Sequence, residues 1–315
     1  VGLGELPFHY EVDLPLVMAE ALMSLPIPPV HVLVNNRKVV QGICEGLGVD
    51  DVESALRGLD KLDKIGPEGV AEELAEAGLE QPQIDVLLRM AQIRTEDSKH
   101  LRSEVNALGV SSETLTQGLD ELCALVEQAG AAMPGVVLAD LKIARGLDYY
   151  TGSVYESEIV GHEDLGSICS GGRYDSLAKD GKRSYPGVGL SIGVSRLVSR
   201  ILSQDMVTAS RKVPTCVVIA VADEEQRQHC NALATILRKR GIPTDVAPSA
   251  AKFGKQIKFA DKRGIPFVWF PGSEGEADTV KDIRSGEQVQ ADIYSWQPSV
   301  EDLHPSVVPT QDSND

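Results

Sequence analysis

At 315 residues the chain is long for one hydrophobic core, so two or three domains are expected. Its 42% hydrophobic and 24% charged content is that of an ordinary globular protein, and no stretch approaches the roughly 20 apolar residues of a membrane-spanning helix. The formal charge of -17 argues against binding nucleic acid over the whole surface, while leaving room for a local basic face.

The chain does not begin with Met, which suggests processing or an excised fragment. Its opening run carries prolines and acids where a signal peptide would carry a basic end and an apolar block. The segment 29–41 is rich in β-branched residues and reads as a strand running into a polar turn. From residue 50 to about 128 the pattern turns helical, with apolar residues at three-to-four spacing over 52–62, 68–77, 84–93 and 115–129. Gly66-Pro67 and Gln81-Pro82 punctuate it, and the acid-rich outer face reads as solvated surface. Strand character returns over 136–144 and 151–160, and 190–202 reads as a strand end entering a helix. Residues 203–214 are polar and without periodicity, a linker.

Beyond it comes a strand–helix rhythm: strands at 215–221, 243–247 and 266–271, with helices at 224–239 and 253–263. Asp223 suits the cap of the first helix, and Gly241 and Gly264 suit the ends of the two. This predicts an α/β domain over 213–302, followed by a disordered tail over 303–315. Cys44, Cys123, Cys169, Cys216 and Cys230 are odd in number and form no CxxC pair, and the six histidines lack metal-ligand spacing. Both facts predict reduced thiols in a cytoplasmic protein and no zinc site.

Three motifs carry chemistry. Ala144-Arg145-Gly146-Leu147-Asp148-Tyr149-Tyr150-Thr151-Gly152 sets a cation and two phenols between glycines. That suits a ligand both anionic and aromatic or imidazole-like, although a turn with a salt bridge and two half-buried tyrosines has the same spacing. Ser170-Gly171-Gly172-Arg173-Tyr174-Asp175 allows close backbone approach to a ligand, or forms a simple hairpin loop. In Gly187-Val188-Gly189-Leu190-Ser191-Ile192-Gly193-Val194-Ser195-Arg196-Leu197, alternating glycines strip one strand face to a slot for a flat group, or let it pack on a neighbour. Arg196 falls in the first turn of the next helix, where the dipole and a planar guanidinium both favour phosphate. Neither a P-loop nor a dinucleotide fingerprint is present. Lys255, Lys258 and Lys262 make a basic stripe on one helix face, which a solvated lysine face would equally produce.

In this order the motifs resemble the histidyl-tRNA synthetase family. The first is similar to its histidine-binding signature, the second to its later glycine-rich element, and 189–197 to motif 3 of class II synthetases. Ser195 departs from the acidic residue common at that place. The stretch 252–266 is similar to the anticodon-binding domain of class IIa enzymes, and Asp60 to Ile65 looks like the family's helical insertion.

The resemblance implies an α+β fold: part of a class II synthetase antiparallel sheet with a helical insertion, followed by an α/β anticodon-binding domain. It implies catalytic-domain residues over 1–45 and 131–204, with the insertion over 46–130. The implied reaction activates L-histidine with ATP to histidyl-adenylate and transfers it to tRNA-His, in the cytoplasm, in a homodimeric parent enzyme. Arg145 would lie against the α-phosphate and histidine carboxylate, stabilising charge in an in-line attack. Arg145→Ala in the full-length enzyme would then lower kcat far more than ATP binding. Tyr149, Tyr150, Gly171 and Gly172 would line the histidine pocket, with Tyr150 nearer the imidazole. Strand alternation would separate the tyrosines unless both sit in the turn. Gly193 and Arg196 would hold ATP, which brings Mg²⁺, with no tightly bound cofactor. The lysine stripe would meet tRNA.

Nothing before residue 29 resembles motif 1 or motif 2, and 4–29 resembles the family's segment on the C-terminal side of motif 2. The expectation is a C-terminal portion that does not catalyse adenylation alone; pyrophosphate exchange at a wild-type rate would overturn it. Two rivals are a non-catalytic paralogue that senses histidine or regulates another enzyme, and a module in which only the tail domain acts, on RNA.

Overall fold

The structure, a computed structural model, describes residues 2–144, 146, 149–273 and 275–310. The chain divides into two compact units, with the boundary between Gln204 and Asp205. Among the described residues no helix is long and apolar enough to cross a membrane.

The first unit is built on a seven-stranded sheet. Its strands are β1 (Gly2–Leu3), β2 (Val30–Asn36), β3 (Arg94–Thr95), β4 (Val137–Asp140), β5 (Ser153–Ile159), β6 (Cys169–Asp180) and β7 (Arg183–Ile192). They lie in the order β1-β7-β6-β5-β2-β4-β3, all antiparallel except β2 beside β4. Its helices are α1 (His9–Met23), α2 (Arg37–Gly46), α3 (Val52–Leu59), α4 (Leu62–Glu76), α5 (Gln81–Met90), α6 (Ser98–Asn106), α7 (Glu113–Ala132) and α8 (Val194–Ser203). Val32 and Val34 of β2 share one buried cluster with Leu74, Leu87 and Leu101 of the inserted helices. The helices between β2 and β4 therefore share one continuous apolar core with the sheet.

The strand expected over 29–41 is a correction. It stops at Asn36, whose side-chain oxygen accepts from Lys38 N at 2.9 Å and caps α2. The β-branched valines at 39 and 40 mask a helix whose buried residues, with Ile43 and Cys44, recur one turn apart. Gly42 and Gly118 let α2 and α7 approach closely: a Cβ on Gly118 would lie 2.6 Å from Val39 N, a backbone atom that cannot give way. Gly118→Ala is expected to cost about 1–3 kcal/mol of stability through overpacking, read as a lower urea midpoint.

The second unit holds the five-stranded sheet β10-β9-β11-β12-β13. Its members are β9 (Val217–Ile219), β10 (Thr244–Val246), β11 (Phe267–Phe270), β12 (Thr279–Asp282) and β13 (Gln288–Gln290), crossed by α9 (Arg227–Lys239) and α10 (Phe253–Arg263). The first three strands are parallel and the last two antiparallel. The hairpin β12–β13 has no signature in the sequence because only Val280 in it is buried, so it has the composition of a loop.

The linker and the tail expected to be disordered over 303–315 are corrected by one ladder as far as residue 309, and 311–315 lie outside the described residues. Val207–Ala209 (β8) pairs antiparallel with Val307–Pro309 (β14), just after the short helix α11 (Val300–Leu303). The guanidinium of Arg211 donates to the carbonyls of Val213, Asp302 and Pro214 at 2.9, 2.7 and 2.8 Å. These bonds tie the chain near both ends of this unit together, although β8 and β14 are mostly exposed and carry no apolar period.

Candidate functional site

Asn35, at the end of β2 inside the core, and Arg37, the first residue of α2, hold the chain on either side of the first motif. Asn35 Nδ2 donates to Ile143 O at 2.8 Å, and Arg37 N donates to Gly152 O at 2.9 Å. Between these anchors, Tyr149 N and Tyr150 N both donate to Gly146 O, at 3.1 and 2.9 Å, closing a tight turn. The two tyrosines thus lie in the turn before β5, which frees them from strand alternation. Their ring centroids are 4.3 Å apart, tilted by 55°. Arg145, the expected phosphate and carboxylate contact, lies outside the described residues.

Tyr150 is half-buried in a slot made by two glycines. A Cβ on Gly146 would meet its Cε2 at 2.6 Å, and a Cβ on Gly172 its Cδ1 at 2.7 Å. Burial and the neighbouring Tyr149 hydroxyl raise the Tyr150 pKa, so the phenol stays neutral near pH 7. Farther along, Gly187 leaves room for the ring of Tyr174, whose Cε2 would lie 2.3 Å from a Cβ there. At that end of β7 the slot expected for a flat ligand is filled by the protein's own side chain. Gly171 faces backbone, 2.2 Å from its ideal Cβ to Gly189 O.

A cavity of about 340 Å³ brings Gly146, Tyr149, Tyr150, Gly171, Gly193 and Arg196 together. Gly172 sits beneath the Tyr150 ring. The cavity walls come from β5, β6, the end of β7 and the first turn of α8. Arg196 is exposed, and its Nη1 donates to Ser167 O at 2.6 Å, which sets the plane of the guanidinium. The same residue lines an adjoining cavity of about 490 Å³, walled by Asp60, Asp63, Lys142, Glu156 and Glu158 among others. Cys169, also on the wall of the smaller cavity, is a neutral thiol, its pKa pushed up to about 11 by burial.

Glu11 carries no signal in the sequence. This buried carboxylate accepts from Arg173 Nη1 at 2.7 Å and from Ser153 N at 3.3 Å, while its carbonyl accepts from the Tyr155 hydroxyl at 2.9 Å. Arg173 Nε donates to Asp175, and Thr151 Oγ1 donates to the other oxygen of that carboxylate at 2.6 Å. The far end of the first motif is thereby tied to the second through Thr151 and Asp175, and the Glu11–Arg173 ion pair, spanning 162 residues, fastens the second motif to α1. No local pattern announces such a partner.

In the second unit, Lys255, Lys258 and Lys262 are all exposed along α10. The stripe is present at the surface, and Asp261 interrupts it.

Residues 4–197 match the family described as histidyl-tRNA synthetase, and residues 215–296 match the anticodon binding domain. The chain is 54% identical over 316 residues to the histidine–tRNA ligase of Micrococcus luteus, covering 99% of this chain and 69% of that protein. The histidine–tRNA ligase of Bifidobacterium animalis subsp. lactis is 53% identical, with coverages of 95% and 67%. A crystal structure of histidyl-tRNA synthetase from a Nostoc species superposes with a TM-score of 0.77 at 32% identity, covering 92% of this chain and 70% of that one. A structure titled as an ATP phosphoribosyltransferase regulatory subunit/histidyl-tRNA synthetase, from Bacillus halodurans, shares the fold, with a TM-score of 0.64 at 19% identity. That likeness shows the fold alone. Matched over nearly its whole length in sequence and in fold, the chain belongs to the histidyl-tRNA synthetase family.

Proposed function

We propose that this chain carries the histidine and ATP contacts of a histidine–tRNA ligase, together with a tRNA-binding face. The observation that carries the reading is the single cavity into which three motifs, distant in sequence, place Tyr149, Tyr150, Gly171, Gly193 and Arg196. The tyrosine turn is the end suited to imidazole: Tyr150 offers a neutral phenol that can donate to, or accept from, a ring nitrogen. Arg145, next in sequence to Gly146, is assigned the carboxylate and α-phosphate. Arg196 at the opposite wall is assigned the phosphate tail, where its charge and the first turn of α8 act together. Mg²⁺ enters with ATP as part of the substrate. The histidine carboxylate then attacks the α-phosphate in line, pyrophosphate leaves, and the adenylate passes its histidyl group to tRNA. The surrounding residues position the reactants and offset charge.

The regulatory alternative has less support, since a protein that only senses histidine has no need of Arg196 at the far wall or of a lysine stripe on the tail domain. A homodimer and a cytoplasmic location belong to the same reading. Calorimetric titration with L-histidine should give saturable binding, while L-phenylalanine and L-lysine give none. Equal responses to all three, or no response to any, would overturn the assignment. Arg196→Ala should weaken ATP about ten- to hundredfold, as loss of a charge-assisted phosphate contact does, with histidine affinity unchanged. An unaltered ATP titration removes Arg196 from the site.

A further inference from the structure

The first unit ends just after α8, the helix whose first turn carries Arg196, and the second begins at Asp205. Gln204 closes the helix, its N–H donating to Arg200 O at 3.1 Å, and Asp205 then turns left-handed at a φ of 47°. Helices often end in that conformation, but usually at glycine, because a Cβ there crowds the next carbonyl. Among the described residues Asp205 is the one non-glycine residue with a positive φ. What holds it comes from the far end of the second unit. Thr310 Oγ1 donates to Asp205 O at 2.6 Å, and Thr310 N donates to Met206 O at 2.9 Å.

The pairing continues along the whole connection. Val207, Thr208 and Ala209 lie opposite Pro309, Val308 and Val307. Ser210 N donates to Ser306 O and Ser306 N to Ser210 Oγ, both at 2.9 Å, and Arg211 Nη1 reaches the Asp302 carbonyl at 2.7 Å. Each residue from 205 to 211 therefore has a partner within 302–310. A stretch with the composition of a flexible linker is one edge of a ribbon, and the C-terminal segment is the other. That ribbon is weak by construction. Neither strand has a fully buried residue, Pro309 has no N–H to give, and a two-stranded ladder without an apolar face is marginal in water. Opening it costs far less than opening the core, and the strain at Asp205 favours the open form further.

We propose that the C-terminal strand β14 is a latch on the connection between the two units. Closed, it holds Asp205 to Arg211 as a stiff ribbon; released, it leaves flexible coil between α8 and β9. Hydrogen exchange of the full chain, followed by mass spectrometry, tests the latch. In the unaltered chain the amides of 205–210 and 306–310 should exchange together, ahead of those in α9 and β11. Thr310→Pro, which removes both the hydroxyl and the N–H, should speed exchange over 205–210 about tenfold and leave α9 and β11 unchanged. Thr310→Val loses the hydroxyl alone and should fall between the two. Adding Asp205→Gly to Thr310→Pro should restore protection roughly fivefold, since glycine takes the left-handed turn without the Cβ clash. Spin labels on Lys99→Cys and Lys239→Cys, one exposed site in each unit, read the stiffness of the connection, and the five native cysteines are buried. Their distance distribution should be narrow in the unaltered chain and broader in Thr310→Pro. Unchanged exchange over 205–210 in Thr310→Pro overturns the latch. Faster exchange with the same distance distribution overturns its control of the connection, and a further loss of protection on adding Asp205→Gly overturns the part played by strain.

Discussion

Glu11→Ala is expected to lower stability by about 3 kcal/mol or more, because it breaks a buried ion pair by removing one partner only. The carboxylate is 4% exposed and Arg173 26%, so solvent replaces little of what is lost. Three groups feel the change: the Arg173 guanidinium, the Ser153 N–H, and Gly152, whose ideal Cβ position lies 3.2 Å from Glu11 Oε2. Asp175 still holds Arg173 after the substitution, but at 3.2 Å and from a 43% exposed position, where a pair contributes about 0.2–1 kcal/mol. Asp175→Ala should accordingly shift the urea midpoint far less. A double-mutant cycle with Arg173→Ala separates the pair from packing effects, and a coupling below about 0.5 kcal/mol would show that the ion pair does not hold these segments. Histidine affinity should fall in Glu11→Ala as well, since Ser153 and Gly152 anchor the end of the tyrosine turn.

Gly172→Ala is expected to lose histidine binding by a hundredfold or more and to destabilise by about 1–3 kcal/mol. The new methyl would stand 2.7 Å from Tyr150 Cδ1 and 2.8 Å from Ser153 O. The carbonyl belongs to a paired strand and cannot move far, because Gly172 is opposite Val154 on one side and Gly189 on the other. The Tyr150 ring is the softer neighbour, so it swings away from Gly172 and into the cavity it lines. Tyr150→Ala in the same chain should recover part of the stability and none of the binding. An unchanged histidine titration for Gly172→Ala would mean that the ring position does not shape the site.

How much of the fold and site is legible in the sequence depends on the range of the interaction. Helix α10 is readable to the residue, Phe253 to Arg263, because its apolar period and Gly264 are local signals. The three motifs are readable too, as glycine and charge patterns in single stretches. The start of α2 at Arg37 is not, since Val39 and Val40 are β-branched and the helix is held by packing on α7 more than by propensity. The pairing of β8 with β14 is invisible for a related reason. Each strand is three residues long and mostly exposed, and its partner lies about a hundred residues away, where Arg211 also bonds the carbonyl of Asp302.

The sequence by itself thus determined the family, the motifs that line the candidate cavity and most elements, all of which are written in contiguous residues. Only the tertiary structure decided that both tyrosines share one turn, that Gly146 and Gly172 frame Tyr150, that Tyr174 fills part of the glycine-stripped face, and that Glu11 faces Arg173. Each of these is a choice of partner across many residues. Such choices are settled by strand register and burial, because a buried charge or ring must find its match wherever the sheet brings one.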